Sequence, residues 1–252
     1  MPIITLLSDF GLRDSYVAEM KGVLLSLAPG VSLVDITHDI PPGNIAAGAY
    51  VLGRAWHRFP AGSVHLAVVD PGVGTARAAL ALRVEGHGFV GPDNGLFARV
   101  VFGRAAEIVS LPVPPGAAPT FHGRDLFAPA AAALARGVPL GELGEPYAAI
   151  PRRVSGAQPR VEGEAVVGEV VYVDRFGNLI TNLTAEVLPP RPIIEVDAVE
   201  VGPLRSTFGD VPTGGLLAYI GSGGELEVAV RGGSAAQVLG LDVGGEIRAR
   251  RG

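Results

Sequence analysis

The sequence predicts an α/β protein: a mostly parallel N-terminal sheet flanked by helices, followed by a smaller C-terminal antiparallel β domain. Two textures predict it. In the first half, short β-like runs alternate with helical stretches of ten or more residues, which implies parallel pairing through right-handed crossovers. Beyond Pro151, β-rich runs follow one another between Gly and Pro with no long helical pattern, the pattern of an antiparallel sheet or barrel. A chain of 252 residues, 48% hydrophobic and 18% charged, is large enough to bury a sizeable core and too apolar to be disordered.

In order, residues 3–7 read as a first strand and 16–27 as a helix stopped by Pro29-Gly30. Residues 31–36 form a second strand, and 44–57 an amphipathic helix behind Pro41-Pro42-Gly43. A third strand covers 63–69, a hairpin joins 80–84 to 88–90 around Glu85-Gly86-His87, and 126–135 is an alanine-rich helix. The domain boundary falls in 151–159, a polar stretch between two prolines. Strands are then expected over 164–173, 192–201, 216–220, 226–230 and 246–250.

Composition also excludes. A formal net charge of −5 without a block of like charge argues against a nucleic-acid partner. No apolar run approaches the roughly 18 residues of a membrane span, and residues 1–9 read as a strand and not a signal peptide. The absence of cysteine removes disulfides, thiolate nucleophiles and cysteine-ligated zinc, so a cytoplasmic address is expected. Lys21 is the only lysine, which leaves little scope for Schiff-base chemistry.

Three polar residues stand out at strand-to-loop exits. Asp70 closes the apolar run 64–69 and opens Pro71-Gly72-Val73-Gly74-Thr75-Ala76-Arg77. His122 lies in Phe121-His122-Gly123-Arg124-Asp125, just ahead of the alanine-rich helix. In open sheets with parallel strands, ligands bind beyond the carboxyl ends. A carboxylate there, facing a guanidinium and an imidazole, is equipped to grip one water molecule. Asp9, in Ser8-Asp9-Phe10-Gly11, reads either as an acceptor for a ribose diol or as a cap, and Asp14 as a helix cap. Asp125 reads as a helix N-cap, and Asp93-Asn94-Gly95 as a structural turn. His38, His57, His65 and His87 show no metal-ligand spacing, although the position of His38 between Asp35 and Asp39 makes a metal site there conceivable. Asp174-Arg175-Phe176-Gly177-Asn178 suits a hairpin turn, while Gly221-Ser222-Gly223-Gly224 and Gly232-Gly233-Ser234-Ala235 are loops whose N–H groups can cradle an anion.

Taken in order, these segments resemble the S-adenosylmethionine hydrolases that form adenosine, also called SAM hydroxide adenosyltransferases, relatives of the bacterial fluorinase and chlorinase. The resemblance rests on Ser8-Asp9-Phe10-Gly11, Asp70-Pro71-Gly72-Val73-Gly74 with Arg77, Pro92-Asp93-Asn94-Gly95-Leu96 and Phe121-His122-Gly123-Arg124-Asp125. It continues through Asp174 with Phe176-Gly177-Asn178 and Gly221-Ser222 with Gly232-Gly233-Ser234-Ala235. It implies a nucleoside-binding domain over 1–150 and a β-rich domain over 160–252 that completes the site of a neighbouring subunit in a homotrimer. Asp70, Arg77 and His122 match the family's water-activating triad. Asp9 would hold the ribose hydroxyls, and Asp174 and Asn178 would position substrate from the adjoining subunit. Ser222 would lie near the methionine end, Phe208 near the adenine, and the backbone of Gly232, Gly233, Ser234 and Ala235 along its edge. S-adenosylmethionine would be substrate, with no cofactor and no metal.

Two departures stand out. Gly43 takes the place of the tryptophan that flanks adenosine in fluorinase, and Arg231 stands where asparagine is common. Halogenating relatives carry tyrosine in place of Asp70 and tyrosine-serine in place of His122-Gly123. The rival readings are a halogenase that consumes chloride, a metal-dependent phosphatase built on Asp9, Asp14, Asp70 and His122, and a non-catalytic protein that only binds adenosine or S-adenosylmethionine.

Overall fold

A computed structural model describes residues 1–148, 158–197 and 199–252. The chain divides into two units, residues 1–155 and 156–252. The expected boundary at 151–159 lies mostly outside the described residues.

In the N-terminal unit, β1 (Ile3–Ser8) is buried on both faces from Ile4 onward, so it needs a layer on each side. Ile4 and Leu6 join a core with Met20 and Leu24 of α1 (Tyr16–Leu27). Val17, Met20 and Leu24 recur at helical spacing, which turns one stripe of α1 inward. The α1 N-cap is Ser15, whose hydroxyl donates to Glu19 at 2.6 Å and makes no backbone capping bond. Asp14 is therefore not the cap; it lies one residue too early. β2 (Ser32–Thr37) leads to α2 (Ile45–Ala55), where Asn44 Oδ1 accepts the Ala47 N–H at 2.9 Å. Gly48 lets α2 approach the sheet: a Cβ there would lie 2.8 Å from Leu96.

β3 (Val64–Val68) is wholly buried. β4 (Ala79–Val84) and β5 (His87–Pro92) form a hairpin whose turn residues Glu85 and Gly86 have φ of 49° and 80°, the left-handed pair that a two-residue hairpin turn favours. α3 (Ala98–Val101), β6 (Ala106–Ser110), α4 (Ala128–Ala135) and β7 (Glu145–Pro146) complete the unit. The strand order is β2-β1-β3-β5-β4-β6-β7. The β1–β2, β1–β3 and β3–β5 pairs are parallel, and the β4–β5, β4–β6 and β6–β7 pairs are antiparallel. The sheet is thus mixed and not mostly parallel. The tight turn at Glu85-Gly86 is too short for a crossover, which takes a dozen or more residues, so β4 must run back against β5.

In the C-terminal unit, β8 (Arg160–Glu162), β9 (Ala165–Val173), β10 (Leu179–Thr184), β11 (Pro192–Val196), β12 (Val199–Pro203), β13 (Leu216–Ile220), β14 (Glu225–Val230) and β15 (Glu246–Arg251) form one sheet. Its order is β12-β11-β15-β9-β10-β14-β13, with β8 on β9, and its strand pairs are antiparallel. A bridge from Leu204 to Ala218 draws the two edges together into a near-barrel. A short helix, α5 (Ala235–Leu239), packs on β14. The single strand expected over 192–201 is two: Asp197, at φ 51°, reverses the chain between β11 and β12. Among the described residues, no helix is long and apolar enough to cross a membrane.

Candidate active site

The register of the sheet places the site. Ser8 pairs with Val68, so Asp9-Phe10 and Val69-Asp70 leave the sheet side by side at the carboxyl ends of β1 and β3. Because β4 runs antiparallel to β5, with Ala79 opposite Pro92, the residues before β4 lie at that same end. The strand reversal therefore delivers Arg77 to Asp70. The loop between them is tightened by hydrogen bonds from Val73 N–H to Asp70 O and from Thr75 N–H to Gly72 O. Gly74, at φ 77°, sits where a Cβ would come within 2.8 Å of Pro119 O, so no larger residue closes this loop without displacement.

The Arg77 Nε donates to Asp70 Oδ1 at 2.9 Å and Oδ2 at 3.0 Å, and Nη2 donates to Oδ2 at 2.5 Å. Both side chains are about 95% buried, at 5% and 4% exposure. A buried ion pair is stable only when its geometry is good and its hydrogen bonds are made, and the fork of guanidinium on carboxylate meets both conditions. The Arg77 guanidinium also lies 5.3 Å from the Phe127 ring centre. Phe127 is a support that the sequence reading did not identify.

Arg77 Nη2 lies 2.9 Å from His122 Nδ1. Guanidinium only donates, so His122 accepts at Nδ1 and carries its proton on Nε2. Burial, and then the neighbouring Arg77 charge, hold the His122 pKa below its ordinary value, which keeps the ring neutral. Gly123–Phe127 form a π-turn running into α4, a local widening that recurs at functional sites. Asp125 is not a helix N-cap: the π-turn already starts at Gly123, and the Asp125 carboxylate instead accepts the Ala118 N–H and the Nε and Nη2 groups of Arg124.

Asp70, His122, Phe10, Val68, Val73, Thr120, Phe121 and Gly123 line a pocket with about 40 Å³ of room for solvent. One water needs only roughly 10–15 Å³ of such room, so the recess can hold water beside Asp70 and His122. Asp9 Oδ2 accepts the Gly43 N–H at 2.7 Å. Gly43 thus serves Asp9 through its backbone. Asp93 and Asn94 are structural: Tyr147 O–H donates to Asp93 at 2.7 Å, and Asn94 Nδ2 donates to Val69 O at 2.8 Å. His38 is bound by Ser8 and Asp35. Among the described residues, no three His, Cys, Asp or Glu side chains converge as a metal site would need.

In the C-terminal unit, Asp174 Oδ1 accepts the N–H groups of Phe176 and Asn178, and Oδ2 accepts Asn178 Nδ2, each at 2.9 Å. Gly177, at φ 80°, lets this turn press on Ser234, and Ala236 N–H donates to Gly177 O. Asp174, Asn178, Ser234 and Ala235 are therefore one cluster, next to Gly232 and Gly233. Phe208 lies in a turn capped by Thr207, its ring 5.4 Å from that of Tyr219. Ser222 follows β13, at the far end of β14 from this cluster. The six residues of β14 separate them by about 20 Å.

Residues 4–144 match the SAM hydroxide adenosyltransferase N-terminal domain, and 168–248 its C-terminal domain. The chain is 47% identical to the (R)-S-adenosyl-L-methionine hydrolase of Thermus thermophilus, covering 96% of this chain and 97% of that protein. It is 42% identical to the enzyme of the same name from Salinispora tropica, covering 100% and 98%. A fluorinase from Actinoplanes sp. is 31% identical over 96% of this chain and 95% of its own. A crystal structure of an uncharacterized conserved protein from Thermotoga maritima superposes with a TM-score of 0.90 at 38% identity, covering 98% and 100%.

Proposed function

The chain belongs to the SAM hydroxide adenosyltransferase family, and we propose that it hydrolyses S-adenosyl-L-methionine with a water held by Asp70, Arg77 and His122. The products are adenosine and L-methionine. Water oxygen bonds to the 5′ carbon as the carbon–sulfur bond breaks. The sulfonium leaves as a neutral thioether, and one water proton is released. Since the substrate carries its own positive leaving group, the protein need only hold the nucleophile in line and dry the site; positioning alone supplies roughly 7–11 kcal/mol.

The observation that carries the reading is the buried Arg77 fork on Asp70, with neutral His122 beside it and a recess with room for water lined by Asp70 and His122. Asp70 accepts a hydrogen bond from the water, and His122 donates from Nε2 to the water oxygen. The carboxylate repels halide from the same spot, which favours hydrolysis over halogenation. Asp9 holds the ribose hydroxyls. Asp174, Asn178, Phe208, Ser222 and the Gly232, Gly233, Ser234 and Ala235 backbone bind the rest of the substrate, reaching it from a neighbouring subunit of a homotrimer. The reaction needs no cofactor or metal, and the cysteine-free chain suits the reducing cytoplasm.

The test is turnover in oxygen-18 water with chloride present. Adenosine labelled at the 5′ oxygen is expected, with no chlorinated nucleoside and no loss of rate in chelator. Unlabelled adenosine, or product only with chloride or metal, overturns the reading.

A further inference from the structure

The Asp9 turn is held by a hydrogen-bonded chain that the proposed chemistry does not use. His38 Nδ1 lies 2.7 Å from Ser8 Oγ, and His38 Nε2 lies 3.1 Å from Asp35 Oδ1. Lys21 Nζ donates to Asp35 Oδ2 at 2.6 Å, and the Phe10 N–H donates to Ser8 Oγ at 3.3 Å. One arrangement satisfies every group: Ser8 donates to Nδ1, and His38 donates from Nε2 to the carboxylate. Asp35 stays ionised: burial raises its pKa, but hydrogen bonds from Lys21 and His38 bring it below the usual carboxylate range. Ser8 is fully buried and His38 nearly so, at 4% exposure.

The chain ends on the substrate side. Ser8 Oγ and the His38 carbonyl, which accepts the Gly11 N–H at 2.8 Å, bracket Asp9 and Phe10. Asp9 carries the carboxylate read here as the ribose acceptor, and Phe10 lines the recess beside Asp70. Ser8 is also register partner to Val68, two residues before Asp70. A shift of the Ser8–His38 link thus moves the ribose acceptor relative to the water site.

We infer that His38 is a positioning residue for the hydrolysis, fixing the Asp9-Phe10-Gly11 turn through Ser8 and not through Asp35. The inference rests on the proposed role of Asp9. An Asn side chain places its amide oxygen where Nδ1 was and keeps the Ser8 bond. A Gln side chain reaches the Nε2 position and keeps the Asp35 bond. The experiment compares His38→Asn, His38→Gln, Ser8→Ala and Asp9→Asn in the full chain, with kcat, KM and melting temperature for each.

A misplacement near 1 Å costs up to about 100-fold in rate, so His38→Gln and Ser8→Ala should each lose roughly tenfold or more in kcat/KM, with His38→Asn within about threefold of the parent. A purely structural role instead lowers the melting temperature of both His38 variants and leaves kcat/KM in place, which overturns the inference. Equal losses in His38→Asn and His38→Gln also overturn it. If His38→Gln does not fold, Ser8→Ala against His38→Asn decides the same question. Asp9→Asn at parental kcat/KM fells the ribose reading and this inference together. A crippled Asp9→Asn beside a fully active His38→Gln fells this inference alone.

Discussion

Asp70 has about four acceptor positions on its two oxygens. Arg77 occupies one on Oδ1 and two on Oδ2, which leaves Oδ1 with a lone pair for water. Asp70→Asn keeps the shape but replaces one oxygen with a donor that faces the Arg77 fork. It should lower kcat by about 100-fold or more, equivalent to roughly 2.7 kcal/mol of transition-state stabilisation, with KM within about threefold. Steady-state kinetics on folded variant checks this, and a parental kcat would remove Asp70 from the chemistry. The Asp70–Arg77 pair was legible in the sequence because a loop of small and turn-forming residues ties the two together. The Ser8–His38 contact spans thirty positions, and no local pattern announces it. Phe127 under the guanidinium was hidden for a different reason: an aromatic in an apolar stretch reads as core, and here it is core as well, at 0% exposure.

At the level of elements, strands with one clear period or a full apolar run were legible, as were α1 and α2 with their Pro and Asn boundaries. What escaped were pieces whose identity depends on neighbours. β6 is half exposed and β8 wholly so, so neither shows an apolar face to read. The π-turn at Gly123–Phe127 differs from an α-helix only in where its N–H groups bond. Adjacent strands also carry a polar ladder that a residue pattern conceals. Thr5 on β1 lies 2.8 Å from His65 Nδ1 on β3, and His65 Nε2 lies 3.1 Å from His87 Nδ1 on β5. Burial, with some contribution from His87, pushes the His65 pKa down to about 3, and burial also lowers His87. Above the unfolded value near 6.5 both states hold neutral rings, so this pair is silent there. Below it the unfolded chain binds protons that the folded chain refuses, and stability falls as pH drops from about 6.5 toward 3. Each refused proton contributes up to about 1.4 kcal/mol per pH unit. Urea unfolding at pH 7, 6 and 5 should show this loss, before carboxylates titrate. His65→Gln should flatten the slope, and an unchanged slope would show that other groups set it.

For the whole molecule, the change of texture along the sequence was legible because the parallel pairs of the first unit need long crossover connections and the antiparallel pairs of the second do not. The reversal at β4 was legible too, as the hairpin around Glu85-Gly86; what no local pattern showed is that β6 and β7 then add antiparallel beyond β4 and make the sheet mixed. That reversal matters to function, since it brings Arg77 to the end of the sheet where Asp9 and Asp70 emerge. The groups proposed to act together are divided along the chain: Asp70, Arg77 and His122 lie in the first unit, and Asp174 and Asn178 in the second. The Asp174 turn is fixed by three hydrogen bonds yet leaves Phe176 74% exposed. A rigid, exposed aromatic of this kind suits a subunit interface. In a closed ring built on a head-to-tail interface, each site would take its first-unit residues from one subunit and its second-unit residues from the next. Two inactive variants then complement. Co-expressed Asp70→Asn and Asp174→Ala chains form mixed rings in which about one site in four receives intact residues from both sides. Activity near a quarter of the parent is expected from the mixture and almost none from either variant alone, with a trimer mass by sedimentation equilibrium. If each subunit completed its own site, every site in the mixture would carry one lesion, and the mixture would be as inactive as its parts.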